Sequence, residues 1–295
     1  MVEVRRGGPG SSGRTGLWAG FLDHLPADEA MAFARDIEGV GIETIWIQEY
    51  SGVDPFVRAA LYLSATTRLT VALGVAVIYG RDPAAMVAAA STLEDAFPGR
   101  FVLGLGVSHR DLVEGRGHEF GPPISTMASY LASMERAGGT RPMPRRFLGA
   151  LGPRMVGLAG RAADGVHTYF SPVAHTAAVR SAIGPDKWLA PSQMVALGSE
   201  GGSWRDSVRS YLQLCLGLPN YTSNLRRLGF SEADLASTSD ALVDALVVPD
   251  DPRRLEARID QHLVAGADHV VLQFVPPPRA SVVRERLVLG LLGAP

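Results

Sequence analysis

A closed (β/α)8 barrel of the α/β class is the fold that the sequence predicts, on three observations. Eight short apolar runs recur along the chain, with helical patterns between most of them. Runs such as IETIWI are almost continuously apolar, as strands covered on both faces must be. The 295 residues suit one barrel with additions. An open doubly wound sheet would show the same alternation and differs only in closure, which periodicity does not report. In either fold right-handed crossovers point all strand C-termini one way, so candidate site residues are those that follow each strand.

The elements run in order as follows. GLWAGF (Gly16–Phe21) is the first strand, followed by a helix over about Asp28–Val40, with Phe33, Ile37 and Val40 on one face. Ile42–Ile47 and Leu69–Val77 are the second and third strands. Asp82 is a good N-cap and Pro83 a good first helical residue, opening an alanine-rich helix to about Ala96. Phe101–Gly106 is the fourth strand. Residues Arg110–Pro123, polar and glycine-rich, read as a loop, and Ile124, Met127, Leu131 and Met134 mark the next helix.

Arg146–Ala150 is a fifth strand, with a helix from Pro153 to about Ala162. Gly165–Phe170 is the sixth strand, with a helix over about Pro172–Ile183. Trp188–Leu197 is the seventh, where the internal Pro191 weakens the pattern or places a bulge. Ser203–Val248 is helical and longer than one crossover needs. A helix over Pro252–Ala265, the eighth strand Asp268–Phe274 and a last helix Ala280–Leu292 complete the series.

Composition narrows the function. The net charge of −2 and pI near 6.4 give no basic excess for nucleic acid or an anionic membrane. No apolar run reaches 18 residues, so no membrane partner is expected. The single cysteine, Cys215, excludes a disulfide framework within the chain and reads as a small buried hydrophobe in a reducing, cytoplasmic setting. Residues 1–14, rich in Gly, Ser and Arg, are expected to form a disordered leader and 15–295 one domain.

GLGVSH (104–109) begins like a dinucleotide fingerprint but has His109 where the third glycine belongs, and it closes a fourth strand instead of opening the first βαβ unit. Its glycines are expected to keep one side of the barrel mouth low, so that something flat can approach. The motifs GxxxxGK[ST], HExxH and GxSxG are absent, and no metal site is expected. FLGALGPRM (147–155) ends a strand in glycines and starts a helix at Pro153. Free N–H groups there, with Arg154, suit an anion. Glu49 and His109, both just past strand ends, are the candidate acid–base residues. Trp18 and Trp46 read as core. His24, Tyr50, Tyr79, Tyr169 and Phe170 are expected to line a partly aromatic mouth.

Four stretches carry a family resemblance: residues 73–109 (LGVAVIYG…LGLGVSH), GRGHEFGPP (115–123), FLGALGPRMVGLAGRAADGV (147–166) and AGADHVVLQ (265–273). With them the chain resembles the bacterial luciferase-like flavin and deazaflavin oxidoreductases, closest to an actinobacterial branch that uses coenzyme F420. The resemblance implies a (β/α)8 barrel with a helical insertion and a cofactor across the C-terminal mouth. It implies a non-prolyl cis peptide at Gly74-Val75 behind the ring. It places Gly106, Val107, Ser108 and His109 beside ring and side chain, and Ala150, Leu151, Gly152, Pro153 and Arg154 at the phosphate. Where several deazaflavin enzymes have an Asp-His pair, this chain has Gln48-Glu49-Tyr50, so histidine-dependent alcohol oxidation does not carry over. The expected activity is hydride transfer between coenzyme F420 and a small organic substrate, in a homodimer. The alternatives are an FMN-dependent monooxygenase served by a separate reductase, and a cofactor-binding barrel without catalysis.

Overall fold

The computed structural model describes residues 13–50, 52–197 and 203–288. Most of the expected leader (1–12), the strand-end residues Gly198, Ser199 and Glu200, and the end of the last helix (289–292) lie outside them.

The strands are β1 (Thr15–Trp18), β2 (Thr44–Ile47), β3 (Thr70–Leu73), β4 (Ala76–Val77), β5 (Phe101–Gly106), β6 (Arg145–Gly149), β7 (Gly165–Thr168), β8 (Trp188–Ala196), β9 (Val247–Pro249) and β10 (Val270–Val275). The helices are α1 (Ala27–Gly39), α2 (Pro55–Ala65), α3 (Pro83–Ala96), α4 (Arg110–Glu114), α5 (Pro123–Gly138), α6 (Pro153–Ala162), α7 (Val173–Ile183), α8 (Trp204–Leu216), α9 (Pro219–Arg227), α10 (Glu232–Ser237), α11 (Asp240–Leu246), α12 (Pro252–Val264) and α13 (Ala280–Val288). All strand pairs are parallel. The ladder runs from β1 through β2, β3, β5, β6, β7 and β8, and closes through β10 back to β1. The open-sheet alternative is thereby excluded. β4 continues the third stave along the end of β5, and β9 lies beside the end of β8.

Local chemistry explains most element ends. Asp82 caps α3, accepting from the N–H groups of Ala84 and Ala85 at 2.9 Å, with Pro83 first in the helix. Asp54 and Pro55 start α2 in the same way, a signal present in the sequence although residues 55–65 are not assigned above. The expected third strand is interrupted: the Gly74–Val75 bond is cis and non-prolyl, as the resemblance implied, and it separates β3 from β4. The loop expected over 110–123 contains the single turn α4, entered from His109. Pro191 neither ends nor bulges β8. It pairs with Thr168, the last residue of β7, so its missing N–H falls where that ladder stops.

Three apolar layers result. Outward-facing strand residues such as Ile45, Val71, Leu103, Leu148 and Val166 pack under the helices. The barrel interior holds Trp18, Trp46, Val102, Phe147 and Val271, so both tryptophans are core as expected. A third cluster joins the strand-end residues Phe170, Met194 and Val275 to Val208, Leu212, Cys215, Tyr221 and Leu225 of α8 and α9. The long helical region after β8 therefore seats on the C-terminal face of the barrel and is held there by apolar burial, worth about 1.5–3 kcal/mol for each large side chain.

Candidate active site

The C-terminal mouth is built around Val75. A methyl group on Gly104 would collide with the carbonyl oxygen of Leu73, and one on Gly106 with Cγ2 of Val75. One on Gly149 would lie 3.2 Å from Cγ1 of Val75. The glycines of FVLGLG and RFLG thus form a groove that receives the Val75 side chain. This corrects the expectation from GLGVSH: what approaches those glycines is not a flat ligand but the neighbouring stave. Beneath it, a methyl group on Gly74 would touch Trp46, His167 and Trp18 at 3.1, 3.4 and 3.6 Å, so the break in the third stave rests on the aromatic floor.

Glu49 stands at the end of β2, as expected, but its carboxylate is occupied. Oε2 accepts from the N–H of Val77 at 2.7 Å and Oε1 from Arg81 at 2.8 Å, and Arg81 also pairs with Asp54. Side-chain exposures of 11% and 16% for Glu49 and Arg81 mean that solvent does little to loosen the pair. Glu49 fastens β4 and the loop after it.

A further carboxylate on this side is Asp23, in the loop after β1, which the strand-end motifs of the sequence do not single out. It is half-buried, and its Oδ2 accepts from Gln48 Nε2 at 3.4 Å. Gln48 Oε1 in turn accepts from Trp18 Nε1 at 3.3 Å. Burial raises the Asp23 pKa above the usual carboxylate value, against Gln48, Arg58 and His24, which lower it.

His109 follows the end of β5, beyond Ser108, whose φ of 59° is left-handed. Its ring lies 5.5 Å from that of Tyr221 and its side chain shares a hydrogen bond with Asn220, both on α9. Burial lowers its pKa, with Asn220 and Asp111 opposing. His109 therefore ties β5 to the added helices.

Ala150, Leu151, Gly152, Pro153 and Arg154 form the turn from β6 into α6. Gly152 occupies the N-cap position with no side chain capping the helix, so its first N–H groups keep their pull on an anion. The Leu151 carbonyl is fixed by His175 Nε2 at 2.9 Å. Arg227, at the end of α9, brings Nη2 to 3.6 Å from the Cβ position of Gly152. The turn thus gains a second guanidinium beside the exposed Arg154. Arg227 lies 75 residues further along, and no spacing rule announces it.

Between the two sides lies an aromatic network. The Tyr169 ring sits 5.2 Å from Trp18, its hydroxyl is 2.6 Å from that of Tyr211 on α8, and Gln273 Nε2 on β10 donates to Tyr211 at 2.9 Å. Phe170, expected to line the mouth, is fully buried in the cluster under α8 and α9. Its φ of 54° turns it inward. Tyr50 and His24 stay exposed at the rim, and Tyr79 stacks on Phe120. Among the described residues no group of three or more His, Cys, Asp or Glu side chains could hold a metal ion, and no helix is long and apolar enough to cross a membrane.

The family model for luciferase-like monooxygenases matches residues 5–184, more than half of the chain, and the chain belongs to that family. Among curated relatives, Rv3520c of Mycobacterium tuberculosis is 29% identical over 164 residues, covering 55% of this chain and 46% of the relative. Its name carries coenzyme F420-dependent oxidoreductase as a provisional assignment. The 5,10-methylenetetrahydromethanopterin reductase of Methanolobus tindarius is 24% identical over 169 residues, covering 49% of this chain and 52% of the relative. The chain thus spans about half the length of the curated relatives it matches.

Solved structures share the fold. An F420-dependent secondary alcohol dehydrogenase matches with a TM-score of 0.72 at 14% identity, covering 92% of this chain and 97% of the other. The FMN-bound oxygenating constituent of 3,6-diketocamphane monooxygenase from Pseudomonas putida matches with a TM-score of 0.68 at 14% identity, covering 94% and 96%.

Proposed function

We propose that this member of the luciferase-like monooxygenase family is a coenzyme F420-dependent oxidoreductase that moves a hydride between the deazaflavin and a small organic substrate. The observation that carries the reading is the pairing of Arg227 with the uncapped α6 start on the same face as the groove-held Val75. A cofactor with a flat ring and a phosphate in its side chain needs such a cationic turn at one end and an apolar floor at the other. The residues present fit it. Gly152, Arg154 and Arg227 would hold the phosphate, and Val75, backed by Gly104, Gly106 and Gly149, would lie behind the ring. Trp18 and Tyr169 close the floor and keep water from beneath it. A bound deazaflavin supplies a two-electron hydride carrier that reacts slowly with oxygen.

The names of the relative Rv3520c and of the alcohol dehydrogenase structure support the deazaflavin. FMN is the second reading, favoured by the FMN-bound structural neighbour and by a phosphate that the same turn would accept. It would make the protein a monooxygenase with a separate reductase partner. A homodimer is part of either proposal.

Anaerobic titration of the purified protein, followed by cofactor absorbance, tests the choice. The expected result is one coenzyme F420 bound per chain at micromolar or tighter affinity, and FMN at least tenfold weaker. Tight FMN binding with no response to coenzyme F420 would replace the first reading by the second, and no binding of either would reject both.

A further inference from the structure

We propose that Asp23 is the acid–base residue of this mouth, exchanging a proton with a substrate hydroxyl or amino group. The assignment rests on the functional reading above, in which the carbon bearing that group gives up or receives the hydride. A carbon that loses a hydride to become a carbonyl or imine carbon must shed the proton on its oxygen or nitrogen. That X–H bond breaks, the electron pair becomes the second carbon–heteroatom bond, and the proton forms the O–H of the Asp23 carboxylic acid. The reverse reaction returns it.

Three groups near strand ends could serve, and geometry separates them. Glu49 accepts from a backbone N–H and an arginine, so both of its carboxylate oxygens are already engaged. His109 is turned toward Asn220 and Tyr221 of α9. Among the described residues Asp23 is held only by the Gln48 amide, at the long distance of 3.4 Å. Its position is also the right one. Gln48 lies on the Trp18 indole, and Trp18 lies against Gly74, directly under the Val75 groove. One side chain therefore separates the carboxyl from the floor on which a substrate and ring would meet.

Behind Asp23 the structure supplies what a proton-exchanging carboxyl needs. Arg58 on α2 is only 7% exposed. Its Nη2 reaches the Leu25 carbonyl at 3.5 Å, and the guanidinium also interacts with Tyr62 one turn along α2. No carboxylate forms a salt bridge with it among the described residues, although Asp23 feels its charge. A buried guanidinium with no carboxylate paired to it stabilises the ionised carboxylate from behind, while burial of the carboxyl favours the acid. The groups facing Asp23 are His24 on its own loop, Arg58 and Tyr62 on α2, Gln48 on the strand side and, beyond Gln48, Glu49 in its pair with Arg81. A purely structural aspartate here would be expected to close onto Arg58 and titrate as an ordinary paired carboxylate.

The test compares wild type with Asp23→Asn and Asp23→Glu, free and loaded with coenzyme F420. Infrared difference spectra taken across pH should show a carboxylic-acid band that titrates above the ordinary carboxylate range in wild type and is missing in Asp23→Asn. A panel of small secondary alcohols and amines is the probe for single-turnover reduction of the bound deazaflavin. Asp23→Asn should slow that step about 10²-fold, with coenzyme affinity within threefold of wild type, and Asp23→Glu should recover part of the rate. The proposal is overturned if no such band exists, if Asp23→Asn reacts at the wild-type rate, or if wild type reacts with no member of the panel. Failure of coenzyme F420 to bind wild type would reject the functional reading instead, and the band in the ligand-free protein would still report on Asp23.

Discussion

The two halves of the barrel mouth are built by different means. On the side of β1 to β5 the parts are local: strand-end glycines leave room for Val75, and the carboxylates Glu49 and Asp23 stand just past the strands that deliver them. On the side of β6 to β10 the parts come from afar. The turn at Gly152 acquires Arg227, Tyr169 acquires Tyr211, and Phe170 is buried by helices inserted after β8. The first half is acidic and shaped by absence of side chains, and the second is cationic and shaped by added ones. A barrel can thus keep one side of its site fixed by strand geometry while an insertion redefines the other.

Acid should sharpen the contrast most. Three of the buried histidines, His167, His262 and His269, belong to the second half of the chain. Burial lowers their pKa values to about 4, 3 and 4. The unfolded chain protonates them near pH 6.5 while the folded one does not. Their contribution is therefore fully present above about pH 6.5 and is lost as pH falls toward 4. At pH 5 the loss should be about 2 kcal/mol per histidine, roughly 6 kcal/mol together. Hydrogen exchange should show β7, β10 and α12 losing protection before β2 and β3, and equal loss in both halves would break the contrast.

Steric substitution should break the first half. Gly104→Ala places a methyl group on the Leu73 carbonyl, which neither backbone can yield cheaply. A destabilisation of about 3 kcal/mol or more is expected, read as a fall in Tm of roughly 6 °C or more. A variant as stable as wild type would show that the staves can part. Glu49→Gln comes next. It keeps the shape but uncouples Arg81, and should cost about 2 kcal/mol in urea unfolding while leaving coenzyme affinity nearly unchanged. A stability equal to wild type with turnover down 10²-fold would return Glu49 to the catalytic role expected from its position.

That reversal shows where the sequence was legible. Asp82-Pro83, FVLGLG and the Pro153 helix start announce their structures through residues within a few positions of each other, and all three stand where they were expected. The strand-end rule also brought Glu49, His109 and Gly152 to one face. It could not say which carboxylate was already spent, because the partner of Glu49 is a backbone N–H 28 residues away. Nor could it distinguish a glycine that admits a ligand from one that admits Val75. Arg227, Tyr211 and Tyr221 lie in a helical stretch whose docking face is set by tertiary packing, and no local pattern ties them to β6 or β7. The helix at 55–65 was different: its Asp54-Pro55 start matches that of α3, so the signal for it was present.

The smallest expected effect bears most directly on the account. Coenzyme F420 and its phosphate-free 5-deazariboflavin chromophore should be titrated into wild type and into Arg227→Ala. Wild type should prefer the phosphorylated form, and the substitution should reduce that preference about tenfold, about 1.4 kcal/mol, without changing the affinity for the phosphate-free form. An unchanged preference in Arg227→Ala, or a wild type that binds both forms equally, would contradict the placement of the cofactor phosphate between the inserted helices and the α6 turn.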